Sequence, residues 1–170
     1  MNKLLLKRLV ILFSLLGFPV YSEETTLKPG SVDRIVVEKS KRRLHLYCGD
    51  NVVKTYKVAL GKNPIGHKEK EGDSRTPEGA YKISGKNPAS QFHKSLRISY
   101  PNQQDILRAH QKYVKPGGDI MIHGLGKEFA MIGKMHSVYD WTLGCIAVSN
   151  QEMDEIYQLT KVGASIEIKA

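Results

Sequence analysis

The sequence predicts an α+β domain dominated by β-structure, and three observations lead there. Runs of β-branched or alternating apolar residues recur along most of the chain. Only two stretches combine a capping signal with helical apolar spacing. Long segments rich in glycine, proline and charge lie between the runs, as in folds with extended connecting loops.

The N-terminus has the layout of an export signal. Lys3, Lys7 and Arg8 precede an uncharged, mostly apolar run from Leu9 to Phe18, and Val20 and Ser22 occupy the −3 and −1 positions of a cleavage site. Residues 1–22 therefore read as a signal peptide, and 23–32 (EETTLKPGSV) as a short flexible lead-in. The run is short for a bilayer span. The chain is expected to be exported. Residues 1–22 carry three cations and no anion, so the formal charge falls from +9 to +6 on their removal. An exported basic chain meets acidic wall polymer or anionic headgroups rather than nucleic acid. Residues 33–170 suit one domain with a core of its own.

Strand-like runs then follow in order at 34–38 (RIVVE), 43–48 (RLHLYC) and 52–60 (VVKTYKVAL). Leu44 and Leu46 share one face, so His45 on the other reads as a strand surface residue rather than a ligand. The lysines of KSKRR and HKEKEGD read as solvated loops. From Gly61 to Gly79 the pattern stops, and a loop of that length is either disordered or part of a site. Strands resume at 80–84 (AYKIS) and 95–99 (SLRIS). Asn102 with Asp105 at N3 opens a helix whose expected inner face is Ile106, Ala109, His110 and Tyr113. DIMIHG (119–124) reads as a strand, and after a second long loop CIAV (145–148) reads as a buried one. The capping box Ser149–Glu152 opens a helix that buries Met153, Ile156 and Tyr157. ASIEIK closes the domain as a strand. About eight strands and two helices result.

Two cysteines, Cys48 and Cys145, are too few for a disulfide scaffold. Cys145 is then either half of a single Cys48–Cys145 bridge or a thiol whose reactivity is used. A cysteine nucleophile needs a base, an orienter for that base, and donors for an oxyanion. In TLGC the glycine lets the backbone turn and present the N–H groups of Leu143, Gly144 and Cys145. His123 ends a strand and precedes Gly124, so a carbonyl near residue 124 can orient its ring. His136 sits mid-loop, and His67 and His93 lie in loops without an anchoring pattern. A metal site built from His123, His136 and Cys145 is disfavoured, because spacings of 13 and 9 match no common zinc pattern.

Taken together, these residues resemble the L,D-transpeptidase catalytic domain family (YkuD-like). His123-Gly124 matches its histidine–glycine, and Thr142, Gly144, Cys145 and Ile146 match its cysteine motif. Thr76, Pro77, Gly79 and Tyr81 match its Thr-Pro-x-Gly-x-aromatic segment. SYPNQQD followed by PGGDIMIHG is similar to the exported subgroup related to YafK-type proteins. The resemblance runs from about Asp33 to Ile168.

It implies a β-sandwich with two helices and long active-site loops. It further implies an acyl-enzyme on Cys145, formed on peptidoglycan stem peptides, with His123 as base and Gly124 as its orienter. Leu143, Gly144 and Cys145 would hold the oxyanion, and no cofactor or metal takes part. The acceptor is a second stem amine, giving a 3–3 crosslink, or an amine of an envelope protein. With water as acceptor the enzyme is a hydrolase that releases wall-attached protein. Carbapenems would acylate the same cysteine.

Leu143 replaces the family's second histidine. Ala147 stands where an arginine is common, so a substrate carboxylate contact would come from elsewhere, for instance Arg75. Thr142 adjoins the substrate cleft. Trp141 and Tyr100 each fit two readings, groove wall or packing beneath a loop. A catalytically silent wall-binding domain is the rival from another class. A papain-like protease would place its cysteine on a helix rather than before a strand.

Overall fold

A computed structural model of the chain describes residues 27–170. The expected signal peptide lies outside them. The strands are β1 (Val32–Glu38), β2 (Arg43–Cys48), β3 (Asn51–Lys57), β4 (Gly79–Ser90), β5 (His93–Ile98), β6 (Met121–His123), β7 (Ile146–Ala147) and β8 (Thr160–Lys169). Helices α1 (Gln103–Gln111) and α2 (Asn150–Leu159) join them, with a 3-10 segment over Lys127–Val138 that Gly133 breaks.

All eight strands form one sheet in the order β3-β2-β1-β8-β4-β5-β6-β7. Only β1–β8 and β6–β7 are parallel. The α+β, β-rich expectation holds, and the long strand β4 explains how one sheet makes two layers. Its Gly79–Lys82 end pairs with β8, while Ile83–Ser90 pairs with β5 across register shifts. Beyond β3 the chain returns to the far edge. Ala59 bridges Ala147 and Gly61 bridges Thr142, so the sheet curls back on itself. That closure covers the edge of the two-residue strand β7, which could not persist exposed.

Ile35, Val37, Leu44, Leu46, Leu96, Ile122 and Ile146 fill the interior, and α2 covers them with Met153, Ile156 and Leu159. Both expected capping boxes form: Asn102 with Asp105, and Ser149 with Glu152. The inner face of α1 differs from expectation. Only Asp105 and Ala109 are buried, whereas Ile106 and Tyr113 are exposed. Asp105 faces inward because the Tyr81 hydroxyl donates to it at 3.0 Å and His67 Nε2 lies 3.1 Å away. Tyr157 is only partly buried, with the Lys86 ammonium 4.3 Å above its ring.

Two lysines expected in solvated loops are buried. Lys39 is 2% exposed, and its ammonium donates to the carbonyls of Gly66 (2.6 Å) and Thr76 (2.9 Å) and to Glu78 (2.8 Å). Three acceptors replace its water, which is what a buried charge requires. Lys68 is held likewise by Asp73 (2.8 Å) and the Lys70 carbonyl (3.0 Å). The 61–79 segment is thus an ordered platform. His67, expected to lack an anchor, accepts the Glu78 N–H on Nδ1 at 3.0 Å.

Candidate active site

Register decides which side chains meet. Asn87, Ser95, His123 and Ala147 pair across β4, β5, β6 and β7, and Gly85, Arg97 and Met121 form the next row. His123 ends β6 and Cys145 immediately precedes β7, the strand paired parallel to β6 through Ile122–Ile146 and His123–Ala147, so both expected residues come from neighbouring chain segments at this edge of the sheet.

His123 is 3% exposed. Its Nδ1 lies 2.7 Å from the Gly124 carbonyl, which can only accept, so the proton is assigned to Nδ1 and Nε2 is left free. Phe92 lies 4.6 Å from the imidazole centroid and Trp141 meets it edge-on at 5.9 Å. Burial holds the imidazole below its ordinary range; the Gly124 carbonyl opposes this, and the His136 charge adds to it. Gly124 is needed for close approach: a Cβ there would meet Asn150 Oδ1 at 2.6 Å. That same oxygen accepts the Leu125 N–H.

Cys48 and Cys145 are both free thiols. The Cys145 thiol is half-buried and donates to the Asp119 carbonyl at 3.5 Å. Burial pushes it up from its ordinary value, the Met121 backbone and Lys68 pull it down, and the Asp119 charge adds to the rise. Burial thus disfavours the charged form of both the thiol and the imidazole.

The turn before the thiol is tightly built. Thr142 Oγ1 donates to the Cys145 carbonyl (2.8 Å) and accepts the Gly144 N–H (3.1 Å). Gly144 has φ +129°, and a Cβ would lie 2.7 Å from the Arg75 carbonyl. Its conformation and its space both demand glycine. Gly144→Ala should therefore lower stability by about 1–3 kcal/mol and displace the thiol, read as a fall in melting temperature together with slower alkylation of Cys145.

Of the three expected oxyanion donors, the Gly144 N–H is already engaged by Thr142. Those of Leu143 and Cys145 have no acceptor among the described residues. Thr142 itself is buried, with its hydroxyl used within the turn, and so braces the motif. Tyr100 is also a core residue: its hydroxyl donates to the Pro116 carbonyl at 2.9 Å, and it is not a groove wall. The Arg75 side chain points to the His67 carbonyl and Gly66, while its own carbonyl backs Gly144. Trp141 packs on the imidazole and borders a cavity of about 250 Å3 with Lys62, Leu125, Phe129, Ile132, His136 and Tyr139.

Several site residues carried no local signal. His136, far from being a loosely held loop residue, is 2% exposed. Asp140 anchors the loop before Trp141 by accepting from Arg42 (2.7 Å) and the Leu60 N–H (2.9 Å). The partners of Asp140 are remote in sequence. No group of three His, Cys, Asp or Glu among the described residues is placed to hold a metal ion.

The imidazole of His123, buried and oriented by the Gly124 carbonyl, and the thiol of Cys145 on a tight glycine turn are the residue types that cysteine acyl-transfer chemistry uses. The model of the YkuD family, L,D-transpeptidase catalytic domain, matches residues 32–168, and the chain belongs to that family. YafK of Escherichia coli (strain K12), assigned by name to the L,D-transpeptidases, is 32% identical over 146 residues, 82% of this chain and 52% of YafK. Pgp2, the helical cell shape determining protein of Campylobacter jejuni, has the same fold with a TM-score of 0.62 at 24% identity, covering 86% of this chain and 52% of Pgp2. Bd1075 of Bdellovibrio bacteriovorus gives 0.55 at 20% identity, over 84% of this chain and 53% of Bd1075. The chain spans about half the length of these relatives.

Proposed function

We propose that the protein is an exported L,D-transpeptidase that acts on peptidoglycan stem peptides through an acyl-enzyme on Cys145. The thiol sulfur attacks the carbonyl of the diamino acid at stem position three, and its proton passes to His123 Nε2. The C–S bond forms as the peptide bond to D-alanine at position four breaks, and His123 returns the proton to the departing amine. An acceptor amine then attacks the thioester, gives its proton to His123, and releases the thiol. The N–H groups of Leu143 and Cys145 face the developing oxyanion. The acceptor is an amine of a second stem or of an envelope protein. Carbapenems acylate the same thiol.

The observation that carries this reading is the imidazole of His123, pinned at Nδ1 by Gly124 and without a partner at Nε2 among the described residues, at the end of the strand paired with the one that Cys145 leads into. Family membership supports the reaction class. The test incubates the protein and its Cys145→Ala variant with purified sacculi, with and without attached envelope protein, and reads products by mass spectrometry. New 3–3 dimers or newly tethered protein with the wild type alone support transpeptidation. Release of attached protein makes it a hydrolase. Identical products from both proteins, with no carbapenem adduct, leave a wall-binding domain.

A neutral resting pair has a pH signature. Burial holds the His123 imidazole below the ordinary imidazole range, so the acid limb of kcat/KM falls at lower pH than for a free imidazole, where the ring protonates and ceases to be a base. Burial pushes the Cys145 thiol above its ordinary value, so alkylation of Cys145 by iodoacetamide should climb roughly tenfold per pH unit upward from pH 7. A preformed thiolate–imidazolium pair would instead give fast, flat alkylation across neutral pH.

A further inference from the structure

We propose that the Arg97–Asp119 ion pair beside the nucleophile is a binding site for the α-amino-carboxylate end of a substrate side chain. The inference rests on the stem-peptide reading above and assigns it a recognition element. Arg97 pairs directly with Met121 across β5 and β6, two positions from the Ser95–His123 pair, so its side chain lies on the face that carries His123. Its guanidinium reaches back to the Asp119 carboxylate. Asp119 also supplies the carbonyl that takes the Cys145 S–H at 3.5 Å. The ion pair is therefore tied to the thiol through a single residue.

The pair is open to ligand. The side chains of Arg97 and Asp119 are 59% and 70% exposed, and neither has another partner among the described residues. Exposed pairs of this kind contribute about 0–1 kcal/mol to stability, so this one parts at little cost. Four guanidinium N–H donors and most of the carboxylate lone pairs are free for a ligand. Beside them runs a trough of about 270 Å3 bordered by Gly85, Asn87, Ser95, Arg97 and Met121. A Cβ on Gly85 would meet nothing within 4 Å, so the space opposite Arg97 is open. Lys86 borders the trough but commits its ammonium to the carbonyls of Tyr157 and Thr160.

One positive and one negative group side by side select for a ligand that carries both. A carboxylate can take the guanidinium in a two-point bond while its neighbouring ammonium takes Asp119. A ligand with only one charge is attracted by one member and repelled by the other. Ala147 offers no such contact, and Arg75 is turned away. Arg97 is thus the arginine placed to read a stem carboxylate near the scissile bond.

The test measures equilibrium binding to the full chain carrying Cys145→Ala, which prevents turnover. The probes are synthetic stem tetrapeptides whose third residue ends in a free amino-carboxylate, an amidated carboxylate or an acetylated amine. Adding Arg97→Ala should weaken the free form about tenfold and leave the amidated form unchanged. Asp119→Asn should weaken the free form and leave the acetylated form unchanged. Arg97→Lys should restore part of the affinity. Equal loss on modified and unmodified peptides, no loss, or no binding to Cys145→Ala would each overturn the site. Turnover by wild type is scored separately. Binding that tracks Arg97 without any turnover sinks the transpeptidase reading and keeps the site, and turnover indifferent to both residues does the reverse.

Discussion

Cys145→Ala is expected to lower turnover of stem peptides by about 10^4-fold or more while leaving the fold intact. On the proposed mechanism Cys145 forms the covalent intermediate, so no neighbouring group can substitute for it. Cys145→Ser should fail almost as completely. A hydroxyl is a weaker nucleophile than a thiol and holds its proton far more tightly, and burial already lowers the basicity of the imidazole that would take it. Structurally the change is small, because the half-buried thiol makes only weak sulfur contacts, to the Asp119 carbonyl and the Met121 backbone. Their loss should alter stability by no more than about 1 kcal/mol. Turnover, together with thermal unfolding of the same preparations, separates a chemical loss from a folding loss. His123→Gln should approach the same loss, since it keeps a polar side chain but removes the base.

The second large effect lies outside the site. Lys39→Met should destabilise the protein by about 3–5 kcal/mol, read from urea unfolding. Removing the ammonium leaves the Gly66 and Thr76 carbonyls and the Glu78 carboxylate without their shared donor. The damage should reach the thiol by a short path. The Thr76 hydroxyl accepts the Gly61 N–H, and a Cβ on Gly61 would stand 3.1 Å from Gly144 Cα. Alkylation of Cys145 should therefore change as well. Glu78→Leu added to Lys39→Met should recover part of the stability, because it removes the carboxylate left unpaired by the first change.

Much of the fold was legible because its signals are local. The second strand coincides with its expected bounds, Arg43–Cys48, since alternation and flanking turn residues sit within a few positions. Both capping boxes lie within four consecutive residues, so Asn102 and Ser149 announce their helices directly. The inner face of α1 was not legible. It depends on Asp105 finding Tyr81, 24 positions away, and apolar spacing reports nothing of such a partner.

The site divides the same way. By itself the sequence determined the element types, the glycine turn before Cys145 and the pairing of His123 with a carbonyl at Gly124, because each is a contact between chain neighbours. Only the tertiary structure decided which polar groups are buried and which exposed. It drew Lys39 and His136 into the interior, assigned Thr142 to bracing and Tyr100 to the core, and set Arg97 against Asp119 beside the thiol. Those outcomes depend on strand register and on the sheet closing through Ala59 and Ala147. A buried charge or an exposed ion pair is defined by its partners, and here they come from segments distant in the chain.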